Sequence, residues 1–343
     1  MATLAEVIPQ ATRLDSAVTQ IPILMLSVHS HCNCRCLMCD IWQRDSRESL
    51  RAIDLERHRE SLQQLGVRHV VLTGGEPLLN TDLTGICDFF RPLHIRLTLL
   101  TTGLLLKKRA EEVAAGFDEI IVSIDGPADV HDSIRRVPGA FELIGEGIAA
   151  VRFHRPSMRI TARSTIQKAN HLHIAATVQA AREIGLNAIS FLAVDTSSEA
   201  FNRPLLWPVA RQSEVALTSN EADAFEQQLD RLALDHASDF ASGFIAESPG
   251  KLRKIARTFR AHLGQAPAVS PICNAPWVSA VVEIDGAVRP CFFHPPIGNL
   301  QSSDLQSILL GPRAQEFRAS LDVATNPTCN KCVCSLNYRG ANE

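Results

Sequence analysis

The sequence predicts an α/β chain in which a parallel sheet carries helices on its outside and leads into a small cysteine-rich module. Three observations point there. Short apolar runs alternate with amphipathic segments from Ile21 to about Asp195. Nine of the ten cysteines fall into two groups, at 32–39 and at 273–334. Successive apolar runs end in small or polar residues, as strand ends lining a site would.

The strand candidates are Ile21–Val28, His69–Thr73, Ile95–Thr101, Glu119–Ile124, Met158–Ile166 and Ala188–Val194. Each is short and rich in Val, Ile, Leu or Thr, which suits parallel strands buried on both faces. Helical candidates lie between them at Leu55–Leu65, Asp82–Arg91, Leu105–Ala115, Phe141–Phe153 and Leu172–Ile184. Six βα units in a row fit either a partial barrel or an open doubly wound sheet. Both architectures place the site at the carboxyl ends of the strands.

The first run leads into Cys32-Asn33-Cys34-Arg35-Cys36-Leu37-Met38-Cys39. Cys32, Cys36 and Cys39 are spaced x3 then x2, and clustered thiolates in an irregular loop suit soft metal or an iron–sulfur cluster. Three ligands would leave one iron of a four-iron cluster open. The second run ends in Gly74-Gly75-Glu76-Pro77, the third in Thr101-Thr102-Gly103, the fourth in Ser123-Ile124-Asp125-Gly126. Paired glycines let backbone approach a ligand closely, and Glu76 adds a carboxylate. Cys87, alone on an apolar stretch, reads as a core thiol.

Length and charge set bounds. A chain of 343 residues suits one large domain, or a barrel of roughly 200 residues plus a smaller module. With a formal net charge of -3 and no strongly basic stretch, nucleic acid is an unlikely partner. Residues 1–20 read as an extension without the apolar run of a signal peptide, and Leu97–Leu106 is too short and too interrupted for a membrane span. These features suggest a cytoplasmic protein. There, clustered cysteines favour metal or catalysis over disulfides.

The cysteine loop, the Gly-Gly-Glu-Pro stretch and Ser123-Ile124-Asp125-Gly126, in that order on successive strands, resemble the radical S-adenosylmethionine (radical SAM) superfamily over about Pro22–Val194. That resemblance implies a partial (β/α)6 TIM-like barrel over 21–195. It also implies a four-iron, four-sulfur cluster on Cys32, Cys36 and Cys39, with S-adenosylmethionine on the open iron. One electron would break the sulfonium to give a 5′-deoxyadenosyl radical, which takes a hydrogen from substrate. The cofactor residues implied are Gly74, Gly75, Glu76 and Pro77, with Glu76 receiving the ammonium group. Ser123, Asp125 and Asn170 would meet ribose or methionyl groups, Arg163 the carboxylate, and Leu192 the adenine. Arg135 and Arg136 are alternatives for the carboxylate. Met38 stands where the family often has an aromatic residue, and Trp42 can shield the cluster. Cys34 is either a spectator or an alternative ligand.

A mostly helical linker is expected over 196–270. Glu214–Asp235 reads as a helix capped by Asn220 or Ser219, and Pro249–Leu263 as a basic amphipathic helix, read as a solvated face rather than a docking surface. Beyond it, Val278–Ile284, Asp285-Gly286 and Ala287–Arg289 form a hairpin signal flanked by Cys273 and Cys291. A helix over Ser303–Leu310 leads to Cys329, Cys332 and Cys334. Residues 271–343 resemble the auxiliary-cluster modules called SPASM and twitch domains. That implies one fully ligated cluster on Cys273, Cys291, Cys329 and Cys332, with Cys334 able to replace Cys332; four thiolates also suit structural zinc.

The expected activity is oxidative, acting on a small-molecule or peptide substrate, with flavodoxin or ferredoxin as an external electron donor. The segment before the first strand is too short for a peptide-recognition domain. Asp195 and His294 are the candidates for a base. The rival reading is a non-catalytic electron carrier or scaffold with two metal centres.

Overall fold

The computed structural model describes residues 18–201, 203 and 205–339. The expected extension 1–20 therefore lies outside the described residues, apart from 18–20, and so do Asn202 and Pro204 of the expected linker.

Six parallel strands are present: β1 (Ile23–His29), β2 (His69–Gly74), β3 (Arg96–Thr101), β4 (Glu119–Ser123), β5 (Arg159–Ile166) and β6 (Ala188–Ala193). Each lies within two residues of its expected position. They stand in the order β6-β5-β4-β3-β2-β1. That order never reverses, whereas a doubly wound sheet has a switch point. Right-handed crossovers in a monotone order put every helix on one face. The opposite face is then a lumen, and the partial barrel is the observed alternative.

Alternation along the strands separates the two faces. Val122, Ala162, Ser164, Phe191 and Ala193 are buried beneath the helices. Ser123, Arg163, Thr165, Ser190 and Leu192 point to the lumen, half-buried or exposed. The ladder aligns them: Ser123 pairs with Arg163, Arg163 with Ser190 and Thr165 with Leu192. At the amino ends, Glu119 bridges Arg96 at 2.6 Å and Arg159 at 3.1 Å.

Several helices differ from expectation. The segment expected as Leu55–Leu65 is two helices, Ala52–Glu56 and Arg59–Gln64. The second long helix, Ser219–Asp235, is capped by Thr218, not by Asn220 or Ser219. Thr218 and Glu221 hold each other's backbone N–H groups, a capping box. Helices Ala128–Arg135 and Pro312–Ser320 were not anticipated. The basic helix, Pro249–His262, keeps Lys251, Arg253, Lys254 and Arg257 exposed, as a solvated face would, and forms surface pairs from Arg253 to Asp230 and from Arg260 to Asp223 and Glu226. Cys87 is a core thiol, 3% exposed.

The C-terminal hairpin is β7 (Ser279–Val282) and β8 (Ala287–Arg289), turning at Gly286 with φ +82°. A short β9 (Gly298–Asn299) follows. The hairpin is not a separate sheet. β7 runs parallel to β1, from Ile23 against Ser279 to Leu26 against Val282, so one nine-stranded sheet passes through both regions. At the other edge, Ile189 N donates to Phe244 O at 2.7 Å and Phe191 N to Glu247 Oε2 at 2.9 Å, which covers β6.

Candidate iron–sulfur and cofactor site

β1 delivers the cysteine loop to the carboxyl ends of the strands, and three neighbours hold it there. From β2, Gly75 N donates to His29 O at 2.7 Å and Glu76 N to His31 O at 2.9 Å. From the unanticipated helix, Ile134 O accepts Leu37 N at 3.1 Å and Arg135 O accepts Arg35 N at 3.2 Å. Helix carbonyls left free at a C-terminus are natural acceptors for such a loop. From β3, Thr102 Oγ1 meets Asn33 Oδ1 at 3.1 Å.

The paired glycines serve this contact. A Cβ on Gly75 would lie 2.1 Å from His31 O, and one on Gly74 would lie 2.4 Å from His29 O. The close approach anticipated for a ligand is made here to the cysteine loop.

Glu76 is fully buried. Its carboxylate accepts from Thr101 Oγ1 at 2.6 Å, Thr102 N at 2.7 Å and Leu78 N at 3.0 Å. Burial raises its pKa, opposed by those donors. The carboxylate expected to receive an ammonium group is thus engaged internally, tying β2 to β3. Pro77 starts the buried turn behind it.

Asp125 and Asn170 are likewise occupied. Asp125 is buried, pairs with Arg135 and accepts Thr165 N at 2.8 Å. Asn170 donates to Asp125 O at 2.8 Å and Thr165 O at 3.0 Å, and accepts Gln167 N at 2.8 Å. Neither side chain stands free toward the lumen. Arg135 also reaches Cys36 Sγ at 3.5 Å, so it serves the thiol loop. Arg136, at the helix end, is exposed with φ +55°. Of the expected cofactor residues, Ser123, Arg163 and Leu192 share the lumen face just described.

Cys36 is held low, to about 6, by its hydrogen bond to Cys34 and by Arg135. Cys39 is pushed up to about 12 by burial, while Ile41 N donates to its sulfur at 3.4 Å. Cys34 is buried and hydrogen-bonded to both Cys32 and Cys36, which drives its pKa up. Trp42 packs beside the loop with Nε1 on Cys39 O at 2.8 Å. Among the described residues no three His, Cys, Asp or Glu side chains close on one point as a single ion's ligands would. Thiols spread around a loop, steadied by N–H donors and a guanidinium, suit a multi-iron body with cysteines at its corners.

The segment after β6 straps this loop in place, a feature the sequence reading missed. Asp195, proposed as a base, is buried, and Arg203 binds it at 2.9 Å together with Ser197 and Ser198. Arg203 also donates to Met38 O at 3.3 Å, Trp207 Nε1 binds Asp40, and Arg211 binds Leu37 O. The signal was the run of Trp and Arg in an otherwise loop-like stretch.

In the second cysteine group, Cys291, Cys329 and Cys332 each have Cys273 as a charged neighbour, and Cys291 and Cys332 have Cys334 as well, so all five thiols share one neighbourhood. Cys334 is exposed, and its carbonyl meets Cys332 Sγ at 2.7 Å. The terminal segment returns along Asn274, which binds Leu336 and Tyr338 beside Cys273. His294, the other proposed base, is buried with its ring 3.4 Å from Cys329 Sγ.

A four-cysteine loop above a barrel mouth, with a second thiol group around the β7–β8 hairpin of the same sheet, is the donor set of an iron–sulfur protein built on a partial barrel. The sequence matches the radical SAM superfamily over residues 26–162 and the iron–sulfur cluster-binding SPASM domain over 273–333. The chain carries a radical SAM domain followed by a C-terminal SPASM domain. The first domain implies S-adenosylmethionine and a four-iron, four-sulfur cluster, the second auxiliary iron–sulfur.

The AdoMet-dependent heme synthase of Methanosarcina barkeri is 32% identical over 178 residues, 49% of this chain and 50% of that protein. The subtilosin biosynthesis protein AlbA of Bacillus subtilis is 24% identical over 316 residues, 89% of this chain and 63% of that protein. The chain thus spans half to somewhat under two-thirds of these relatives. Among solved structures, Streptococcus suis SuiB bound to S-adenosylmethionine has a TM-score of 0.63 at 16% identity, covering 93% of this chain and 73% of that one. The enzyme anSMEcpe with bound AdoMet has a TM-score of 0.65 at 19% identity, covering 91% of this chain and 86% of that one. These likenesses concern the fold. No helix among the described residues is long and apolar enough to cross a membrane.

Proposed function

We propose that this chain is a radical SAM enzyme performing a two-electron oxidation or crosslink on a peptide, or on a small molecule. The observation that carries the reading is a pair of thiol groups tied to one continuous sheet: Cys32, Cys36 and Cys39 in the loop after β1, and a second group bracketing the β7–β8 hairpin, with Cys273 before it and Cys291, Cys329 and Cys332 after it. S-adenosylmethionine on the first cluster, when bound, supplies a hydrogen-abstracting radical. The residues supply the rest. Cys32, Cys36 and Cys39 hold the cluster, and Arg135 offsets the charge of the Cys36 thiolate. Arg163, exposed on the lumen wall with Nε 3.5 Å from Ser190 Oγ, receives a carboxylate. Leu192 and Thr165, paired across β5 and β6, cover the adenine side and exclude water.

Cys273, Cys291, Cys329 and Cys332, with Cys334 as the alternative to Cys332, would hold one auxiliary cluster, which when bound would supply an acceptor for the second electron of the oxidation. The substrate's proton goes to solvent or to a base on the substrate side, since Asp195 is held by Arg203. Flavodoxin or ferredoxin serves as external donor. A peptide substrate is favoured by the relatives, because SuiB has a structure with its precursor peptide SuiA and AlbA is named for bacteriocin biosynthesis.

The test is anaerobic reconstitution with S-adenosylmethionine and a reductant. The reading expects 5′-deoxyadenosine from the native chain and none from the Cys32→Ala, Cys36→Ala, Cys39→Ala triple variant. No 5′-deoxyadenosine from the reconstituted native chain would leave the electron-carrier reading standing.

A further inference from the structure

We infer that His294 is a positioning residue that sets the reduction potential of the auxiliary cluster. The inference rests on the proposal that Cys291 and Cys329 are ligands of that cluster. One residue stands next to both segments. The ring Nε2 of His294 lies 3.4 Å from Cys329 Sγ. In the chain, His294 follows Cys291 by three positions. Cys291 and Cys329 belong to different segments, so His294 joins the hairpin side of the site to the terminal cysteine pair.

The ring is not free to turn away. It is buried, 5% exposed, and meets the Phe317 ring edge-on with centroids 5.0 Å apart. Its carbonyl accepts Arg289 Nη1 at 3.1 Å, which fixes the backbone just after Cys291. Phe317 comes from the helix Pro312–Ser320, so a third element holds the ring against the sulfur.

The physical effect follows from charge. A thiolate ligand has no proton to give, so Nε2 must be the donor in the cluster-bound state. Reduction adds a negative charge that spreads over the cluster and its sulfur ligands. An N–H donor on a ligating sulfur stabilises that added charge and raises the potential. His294 therefore makes the auxiliary site easier to reduce, which suits a centre that takes an electron from a substrate radical.

The experiment uses the full chain carrying the Cys32→Ala, Cys36→Ala, Cys39→Ala background, reconstituted anaerobically, so that only auxiliary iron contributes. Midpoint potentials are read by redox titration with electron paramagnetic resonance. His294→Leu keeps the bulk but removes the donor. It should lower the potential by about 59 mV, the equivalent of a tenfold change in a one-electron equilibrium. His294→Gln, whose amide restores an N–H, should recover most of the shift. An unmoved potential in His294→Leu with iron retained would overturn the inference, as would a Gln variant that behaves like Leu. If the triple-Ala background held no cluster at all, the ligand assignment would fall and this inference with it.

Discussion

The Arg203 guanidinium lies 3.9 Å from the centroid of the Trp207 ring while binding the carboxylate of Asp195 at 2.9 Å. Arg211 approaches the same ring at 4.6 Å. Arg203 and Arg211 touch the cysteine loop through Met38 and Leu37, and Trp207 binds Asp40 just after it. The segment also meets the C-terminal module, where the Phe201 ring packs edge-on against Phe293 at 6.3 Å.

Removing Arg203 leaves Asp195 buried without its counter-charge. Breaking a buried pair in this way costs about 3–5 kcal/mol. Arg203→Ala should therefore lower urea stability by that amount and release iron from the first cluster before the second. Iron analysis on partly unfolded samples checks the order. Equal loss from both sites would show that the strap does not act on the loop.

Gly75→Ala should strike the same loop from the other side. Its new Cβ would sit 2.1 Å from His31 O and 3.0 Å from Cys32 N, both backbone atoms with little freedom to yield. Overpacking costs about 1–3 kcal/mol. The expected outcome is loss of 5′-deoxyadenosine formation with auxiliary iron kept. Gly139→Ala is the control: nothing lies within 4 Å of its Cβ, but its φ is +75°. It should cost about 1–2 kcal/mol through the left-handed backbone alone and leave both sites loaded.

Cys34 touches Cys32 and Cys36 from a fully enclosed position. As a spectator, it can be replaced by Ala with cleavage of S-adenosylmethionine retained. If Cys34→Ala abolished cleavage while Cys36→Ala preserved it, the ligand spacing would have to be redrawn.

Acid should weaken the fold through His131. Burial, then the charge of Arg135, lowers its pKa from 6.5 to about 3, and its Nδ1 accepts Asp125 N at 3.1 Å. Above pH 6.5 the ring is neutral folded or unfolded, and it contributes no pH dependence. Below that, the unfolded chain binds a proton that the folded chain refuses. Stability then falls with falling pH until about 3, by up to about 1.4 kcal/mol per pH unit. His131→Asn should flatten that slope in urea titrations at pH 5 and 7. An unchanged slope would assign the effect to His29, His58 and His69, whose pKa values are also lowered by burial.

The barrel strands were legible because β1 to β6 are apolar runs with clear edges, and hydrophobic period is a local signal. The lumen residues Ser123, Arg163 and Leu192 were legible for the same reason: strand position alone sets where they point. Glu76, Asp125 and Asn170 were harder. Whether a polar side chain at a strand end faces a ligand or ties two strand ends together depends on partners far away in sequence, such as Thr101 for Glu76 and Arg135 for Asp125. Helix Ala128–Arg135 escaped notice because its residues, Ala-Asp-Val-His-Asp-Ser-Ile-Arg, bury only His131, Ile134 and Arg135. The union of β7 with β1 has no local signature at all.

That union sets the timing of assembly. β1 is made early, yet the strand that covers its outer edge at Ile23–Leu26 is residues 279–282, more than two hundred positions later. Throughout synthesis of the intervening chain this edge has open hydrogen-bonding groups, the kind of template that draws strands from other molecules. The sheet closes only when the last fifth of the protein arrives. The same late event brings in the second thiol group, with Cys273 just before β7 and the other cysteines after β8, so completing the sheet and positioning the C-terminal cysteines become one step in the life of the chain.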